Sequence, residues 1–296
     1  KIPFHMFYIK QFQTKEYKKM LNDSEKVQIG YHLHYSKDQT PITNEFRRTS
    51  FFFYIQAEHL PSQLYNDEAF STKFYKDAYL QSLPNTFCLP HCPYSLNLAA
   101  IEDNYLVWSK ARLLYECHQT RTCGLKYLVL HPGSAKNWPK RDECLKQIAS
   151  MIDFCLSKVP DVVILVETMT GGPNLIGTSF QELKQLIQYC KYHERVKVCV
   201  DTAHCWAGAF APKEQFISKL NENFKSVFKE EIQFLHFNNS LSEHGSNKDL
   251  HAQILKGKIP IEEMEAVKEL KSLKIVVMEI EESAEELKLV ESWLQK

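Results

Sequence analysis

Six stretches of the chain end an apolar run with an imidazole or a carboxylate. They are Leu89-Pro90-His91, Leu130-His131-Pro132-Gly133-Ser134, Val166-Glu167-Thr168, the run from Val196 to Asp201 and His204, Leu235-His236-Phe237-Asn238-Asn239, and Met278-Glu279. Asp249-Leu250-His251 lies in the loop after the fifth of them. A charged group at the end of an apolar strand must reach solvent or hold something positive. Glu167 and Glu279 each follow an apolar run, and a buried carboxylate without a partner would neutralise or destabilise the fold. Any one of the histidines, taken alone, reads more readily as a hydrogen-bonded structural residue. The set as a whole reads as metal ligands: His91, His131, Glu167, Asp201, His204, His236, Asp249, His251 and Glu279. Neutral imidazoles mixed with carboxylates suit Zn2+, with Mn2+ or iron as substitutes. These donors are too many for one ion and suffice for three if one carboxylate bridges. Clustered cations suit phosphoryl chemistry, because they acidify a bound water, hold phosphate oxygens and neutralise a leaving alkoxide.

Such convergence needs a frame, and the hydrophobic pattern supplies one. Short runs rich in Val, Ile, Leu, Phe and Tyr recur at 27–35, 51–56, 86–94, 126–133, 162–169, 196–204, 232–239 and 274–281. Segments with helical spacing lie between most of them, at 68–82, 100–123, 144–158, 180–193, 213–228 and 261–272, and a last helix is expected over 284–295. Apolar strands alternating with helices predict an α/β fold with a parallel sheet buried on both faces. Eight such units have the size of a (β/α)8 TIM barrel, in which all strand C-termini share the face where active sites are built. An open doubly wound sheet is the alternative, since 36–50 contains Pro41 and only a short helix candidate. Residues 1–25 read as an N-terminal extension and 26–296 as a single barrel domain. Lys10, Lys15, Lys18 and Lys19 of the extension form a targeting or DNA-contacting patch or, more simply, a solvated face.

Composition narrows the function classes. Lys+Arg and Asp+Glu both number 36 in 296 residues, a balance that weighs mildly against a nucleic-acid binder. Bound divalent ions would restore positive charge where a phosphate must sit. The nine cysteines are odd in number and irregularly spaced, which predicts reduced structural thiols rather than a secreted framework. Cys88 and Cys92 are the one pair close enough to suggest a bridge. Without a membrane-length apolar run or a signal-peptide core, an intracellular site is expected: cytoplasm or nucleus or, for a viral protein, the factory or virion.

The motifs, taken in order, resemble those of the endonuclease IV family of zinc-dependent apurinic/apyrimidinic endonucleases. Leu89-Pro90-His91, His131 to Ser134, Glu167 to Gly171, Cys199 to His204, His236-Phe237-Asn238 and Gly245 to His251 carry the resemblance, which runs over nearly the whole chain. It implies a barrel holding three zinc ions. His91, His131 and Glu167 would hold the first, Glu167, Asp201, His236 and Glu279 the second, and His204, Asp249 and His251 the third. It further implies cutting of double-stranded DNA on the 5′ side of an abasic site, leaving a 3′-hydroxyl and a 5′-deoxyribose phosphate, with trimming of blocked 3′ ends. Glu167 would be the catalytic residue, orienting a hydroxide held between the first two ions. Tyr94 matches a residue that the family pushes into DNA, and Lys248, Lys136, Lys140 and Arg141 become candidate backbone contacts. The chain departs from the pattern at Asn239, usually Asp, and Leu250, usually Arg. It has no Arg in 56–63 and carries Ser95 where a bulkier apolar residue is common. Asn239 and Leu250 are not ligands, so the metal site is expected to survive with altered tuning around the metal or a changed phosphate contact, while the missing Arg and Ser95 predict a different DNA wedge. The resemblance also implies a monomer. Two readings compete: a metal-dependent sugar isomerase or epimerase on the same barrel, which needs fewer ions, and a DNA- or protein-binding barrel without catalysis.

Overall fold

The computed structural model describes residues 27–35, 50–55, 88–122, 125–280 and 283–294, and side-chain statements exclude 31–35, 50–55, 88 and 122. Eight parallel strands close on themselves: β1 (Gln28–Tyr35), β2 (Ser50–Ile55), β3 (Cys88–His91), β4 (Tyr127–Leu130), β5 (Val163–Glu167), β6 (Val196–Asp201), β7 (Phe234–His236) and β10 (Ile275–Met278). Each pairs with its neighbour in chain order and β10 returns to β1, with Gln28 opposite Ile275. The expected closed (β/α)8 barrel is therefore present, and the open-sheet alternative is excluded. Between β7 and β10 a short antiparallel hairpin, β8 (Asn239–Ser240) with β9 (His251–Ala252), stands apart from the barrel sheet.

Alternation along each strand divides the core in two, because successive side chains point to opposite faces. Leu89, Val129, Val163, Leu165, Cys199, Phe234, Ile275 and Val277 fill the barrel interior. Leu128, Leu130, Ile164, Val166, Val198, Val200, Leu235, Val276 and Met278 point outward into the layer beneath the helices. The described residues hold seven α-helices: α1 (Asp103–Thr122), α2 (Arg141–Lys158), α3 (Phe180–Tyr189), α4 (Thr202–Ala207), α5 (Phe216–Phe228), α6 (Ile261–Glu265) and α7 (Ala284–Leu294). On α2, Cys144, Leu145, Ile148, Ala149, Ile152, Cys155 and Leu156 form the buried stripe. The start of α3 is set by Ser179, whose hydroxyl accepts from the Glu182 amide.

Three expectations need correction. The stretch 196–204 is not strand and turn to its end: the chain enters α4 at Thr202, with Asp201 as N-cap accepting from the His204 amide at 2.6 Å. The segment 213–228 is helical only from Phe216. The segment 261–272 breaks after one turn into a 3-10 helix, Ala266–Glu269. The extension 1–25 and the helix expected at 68–82 lie outside the described residues. Seven described cysteines, Cys92 among them, are buried free thiols, as the reduced-thiol reading anticipates. No helix among the described residues is long and apolar enough to cross a membrane.

Candidate metal centre

Six of the nine expected ligands follow one rule. Each lies two residues beyond a side chain that fills the barrel interior: Leu89 then His91, Val129 then His131, Leu165 then Glu167, Cys199 then Asp201, Phe234 then His236, Val277 then Glu279. Since the period of a strand is two, the ligands form the next interior layer, where apolar filling gives way to donors. Glu167, Asp201 and His236 are fully buried and His91 nearly so, whereas His131 keeps about a quarter of its side chain in solvent.

Glu167 sits at the middle of this layer and uses both oxygens. Its Oε2 lies 3.0 Å from His91 Nε2 and 3.1 Å from His131 Nε2, and its Oε1 lies 3.0 Å from His236 Nδ1. His236 Nδ1 is also 3.0 Å from Glu279 Oε2 and 4.0 Å from Asp201 Oδ2. Among the described residues, three overlapping groups of donor atoms result here, each compact enough to surround an ion: His91, His131 and Glu167; Glu167, Asp201, His236 and Glu279; and His91, His236 and Glu279. A fourth is formed by Asp201, His204 and His251. Asp249 joins it from the loop before β9, 3.2 Å from both His204 Nε2 and His251 Nε2. All nine expected ligands therefore converge, and Asp201 touches two of the groups.

Backbone carbonyls aim the imidazoles. His91 Nδ1 lies 2.6 Å from the Cys92 carbonyl and His204 Nδ1 2.8 Å from that of Thr168. An N–H donated there leaves Nε2 as a lone pair facing the cluster, the arrangement a metal-binding histidine requires. Asn238, buried on the turn after β7, donates to Asp201 Oδ2 at 2.6 Å and accepts from the Glu279 amide at 2.6 Å. It thereby orients two carboxylates at once. Asn238 belongs to the His236-Phe237-Asn238 motif, where the ligand His236 drew attention away from it. The signal was available, since an amide beside a ligand on a buried strand end needs polar partners.

The electrostatics are those of a cation site. Burial pushes the Glu167 carboxyl up, but His236 and His131 outweigh it and hold the group well below the usual range. Burial also works against Asp249, yet hydrogen bonds from His204 and His251 keep it far down. Burial would lower the histidines, but their neighbours prevail: Asp201 and Asp249 bring His251 to about 9, Asp201, Asp249 and Glu167 hold His204 well above its ordinary value, and Cys199, Glu167 and Glu279 do the same for His236. In the ion-free chain protons hold these carboxylates together. Divalent ions would replace those protons with the same donor atoms, so the nine residues fit such ions.

The DNA-facing candidates are less convergent. Tyr94 stands 68% exposed on the loop after β3, and Lys248 is exposed one residue before Asp249. Lys136 is exposed, while Lys140 pairs with Glu143 at 3.0 Å. Arg141 is committed inward, bonded to Glu182 and to the carbonyls of Pro173 and Leu175, so it pins the loop after β5. A further clamp comes from Asn97, whose side chain accepts from the Ser134 amide at 2.9 Å and donates to its carbonyl at 3.3 Å. It ties the loop after His91 to the loop after His131. A Cβ at Gly133, where φ is +113°, would lie 2.3 Å from the Asn97 oxygen, so only glycine fits.

Comparison with known proteins follows the same lines. The model of the xylose isomerase-like TIM barrel family matches residues 73–296. A probable endonuclease 4 of Mycoplasmopsis synoviae is 32% identical over 195 residues, 66% of this chain and 69% of that protein. The chain belongs to the endonuclease IV family. An apurinic-apyrimidinic endonuclease of Caenorhabditis elegans is 35% identical over 173 residues, a stretch that spans 58% of this chain but 44% of that relative. Solved structures place the fold without separating chemistries. Endonuclease IV from Thermus thermophilus superposes with a TM-score of 0.66 at 23% identity, covering 90% of this chain and 99% of that one. A D-tagatose 3-epimerase-like protein also scores 0.66, at 15% identity and with 91% and 97% covered.

Proposed function

We propose that the chain is an abasic-site endonuclease, hydrolysing the phosphodiester 5′ to the lesion in duplex DNA to leave a 3′-hydroxyl and a 5′-deoxyribose phosphate, with trimming of blocked 3′ ends. The observation that carries this reading is the group formed by His204, Asp249 and His251 beside the two groups that share Glu167. His91, His131 and Glu167 would hold one zinc, Glu167, Asp201, His236 and Glu279 a second, and His204, Asp249 and His251 a third, with Mn2+ as a substitute. Ions so bound supply an acidified water and the positive charge that a phosphate and its leaving oxygen need.

The chain's own residues do the positioning. Glu167 remains ionised because two imidazoles stabilise its charge, and each of its oxygens faces a different group of ligands. Asn238 keeps Asp201 and Glu279 turned to the same point. His131, His251 and Asp249 form the solvent-facing side, so the phosphate would enter over them. Tyr94 and Lys248 would meet the duplex, one against the gap left by the missing base and one against a phosphate. An abasic nucleotide has less stacking to lose when it leaves the helix, which favours it over an intact one.

A metal-dependent sugar epimerase is the second reading, favoured by the equal superposition on the epimerase-like protein. Such barrels need one or two ions, and the hairpin ligands would then have no task. The deciding experiment is a gel assay on a duplex carrying one synthetic abasic site, beside an undamaged control, with metal measured in the same sample. A single cut 5′ of the lesion, three zincs per chain, and loss of cutting on stripping metal are expected. No cut with one or two ions bound would favour the epimerase.

A further inference from the structure

Asp249 and His251 do not sit on the barrel, so something else must set their place. They ride on the hairpin β8–β9, whose pairing covers only Asn239 with Ala252 and Ser240 with His251. So short a ladder is marginal by itself. The next pair continues weakly, the Leu241 amide donating to the Leu250 carbonyl at 2.8 Å. Asn239 supplies the missing restraint. Its amide nitrogen donates to the carbonyls of Ile254 at 2.8 Å and Ile259 at 2.9 Å. Its oxygen accepts from the amides of Ile259 at 2.9 Å and Ser240 at 2.7 Å. The side chain is buried, and these four bonds engage both donor hydrogens and both acceptor lone pairs.

The loop after β9 therefore closes around one amide. The Lys258 amide adds a bond to the Ser240 carbonyl at 2.7 Å. Gly257 packs so tightly that a Cβ there would lie 2.0 Å from the Asn239 oxygen. Asn238 and Asn239 thus divide the work: one orients Asp201 and Glu279, and the other ties the hairpin that presents His251 to the loop that follows it.

We propose that Asn239 is the positioning residue of the hairpin ligands, and that it sets affinity for the ion held by His204, Asp249 and His251 without touching it. This rests on the reading that these three residues complete an ion site. The side chain spends every donor and acceptor it has on this closure, so removing it leaves the Ile254 and Ile259 carbonyls and the Ser240 and Ile259 amides without it.

The test is N239A in the full chain, with G257A acting on the same amide from the other side. Zinc is the probe, counted by native mass spectrometry and titrated against a chelator, with circular dichroism as the check on folding. Removal of supporting hydrogen bonds costs metal sites 10–100-fold in affinity. N239A and G257A are expected to weaken one ion by about that factor, leaving the affinity of the other two unchanged. His251→Ala should weaken the same ion, and the N239A/H251A pair should weaken it little beyond His251→Ala alone. A wild-type chain that holds three zincs while the variants hold all three with unchanged affinity overturns the assignment of Asn239 and leaves the proposed function standing. A variant that weakens all three ions equally also overturns it, because the amide would then serve the fold at large. A wild-type chain holding only two overturns both readings.

Discussion

His236 and His251 offer the same imidazole to the same cluster, but they are held by different means. His236 is the next interior position of a barrel strand, fully buried, its place dictated by Phe234 two residues earlier. His251 rides on a two-residue ladder that an asparagine ties to a loop, and about a fifth of its side chain remains in solvent. The first is located by the register of a closed sheet, which cannot shift without turning every ligand outward. The second is located by a handful of hydrogen bonds. A centre built this way has a rigid floor, made of Glu167, Asp201, His236 and Glu279, and an adjustable wall made of Asp249 and His251.

The largest effect should come from the floor. Glu167→Gln keeps the shape but removes the charge that both groups of ligands share. Nicking of an abasic duplex is expected to fall by at least about a thousandfold, on the order of 4 kcal/mol of barrier, with the circular dichroism spectrum unchanged. Near-normal nicking would show that the floor and the wall are not distinguished as described.

A smaller effect separates the two through pH in the metal-stripped chain. His251 is raised from 6.5 to about 9, so the stability it lends is complete below about 6.5 and fades as pH rises through about 9. Glu167 and Asp249 are held low, and their contribution is lost in the opposite direction, as pH falls below the ordinary carboxylate range. The stripped protein should therefore lose melting temperature between pH 6.5 and 9. The zinc-loaded protein should not, because ions replace the protons that leave. Parallel melting profiles would contradict this. The smallest effect belongs to the wall's outer edge: Lys248→Ala should lower the slope of log affinity against log salt by about one while leaving metal content intact. An unchanged slope would remove Lys248 from the DNA contact.

The floor is the part of the site that was legible in the sequence. A glutamate after Val-Ile-Leu-Val, or an aspartate after Val-Cys-Val, contradicts its surroundings in a way that period-two reading exposes at once, and six such contradictions imply a common layer. The wall was fainter in the sequence, where Asp249 and His251 counted as ligands only by joining the other seven donors. Asp249-Leu250-His251 obeys no strand period over a useful length, and the hairpin that carries it is set by contacts across the loop to Ile254 and Ile259. The same holds for His204, which local spacing assigns to a strand end. The side chain of Asp201 instead caps a helix there, a choice made by one hydrogen bond. The departure at Asn239 looked like a change in tuning near the metal. Its four bonds show a structural role, and Leu250, half exposed between two ligands, leaves the ligand geometry untouched.

The seven buried thiols carry one more consequence. Burial pushes each of them up, Cys144 and Cys199 to about 11 and Cys155 and Cys190 to about 12, with Cys92, Cys117 and Cys205 well above the ordinary thiol value. The thiolate, not the thiol, attacks peroxides and electrophiles. In neutral solution these sulfurs are chemically silent, even Cys199, which lies beside His236. Among the described residues, an oxidant therefore meets nine candidate ligands that are nitrogen and oxygen donors, with no reactive thiolate beside them.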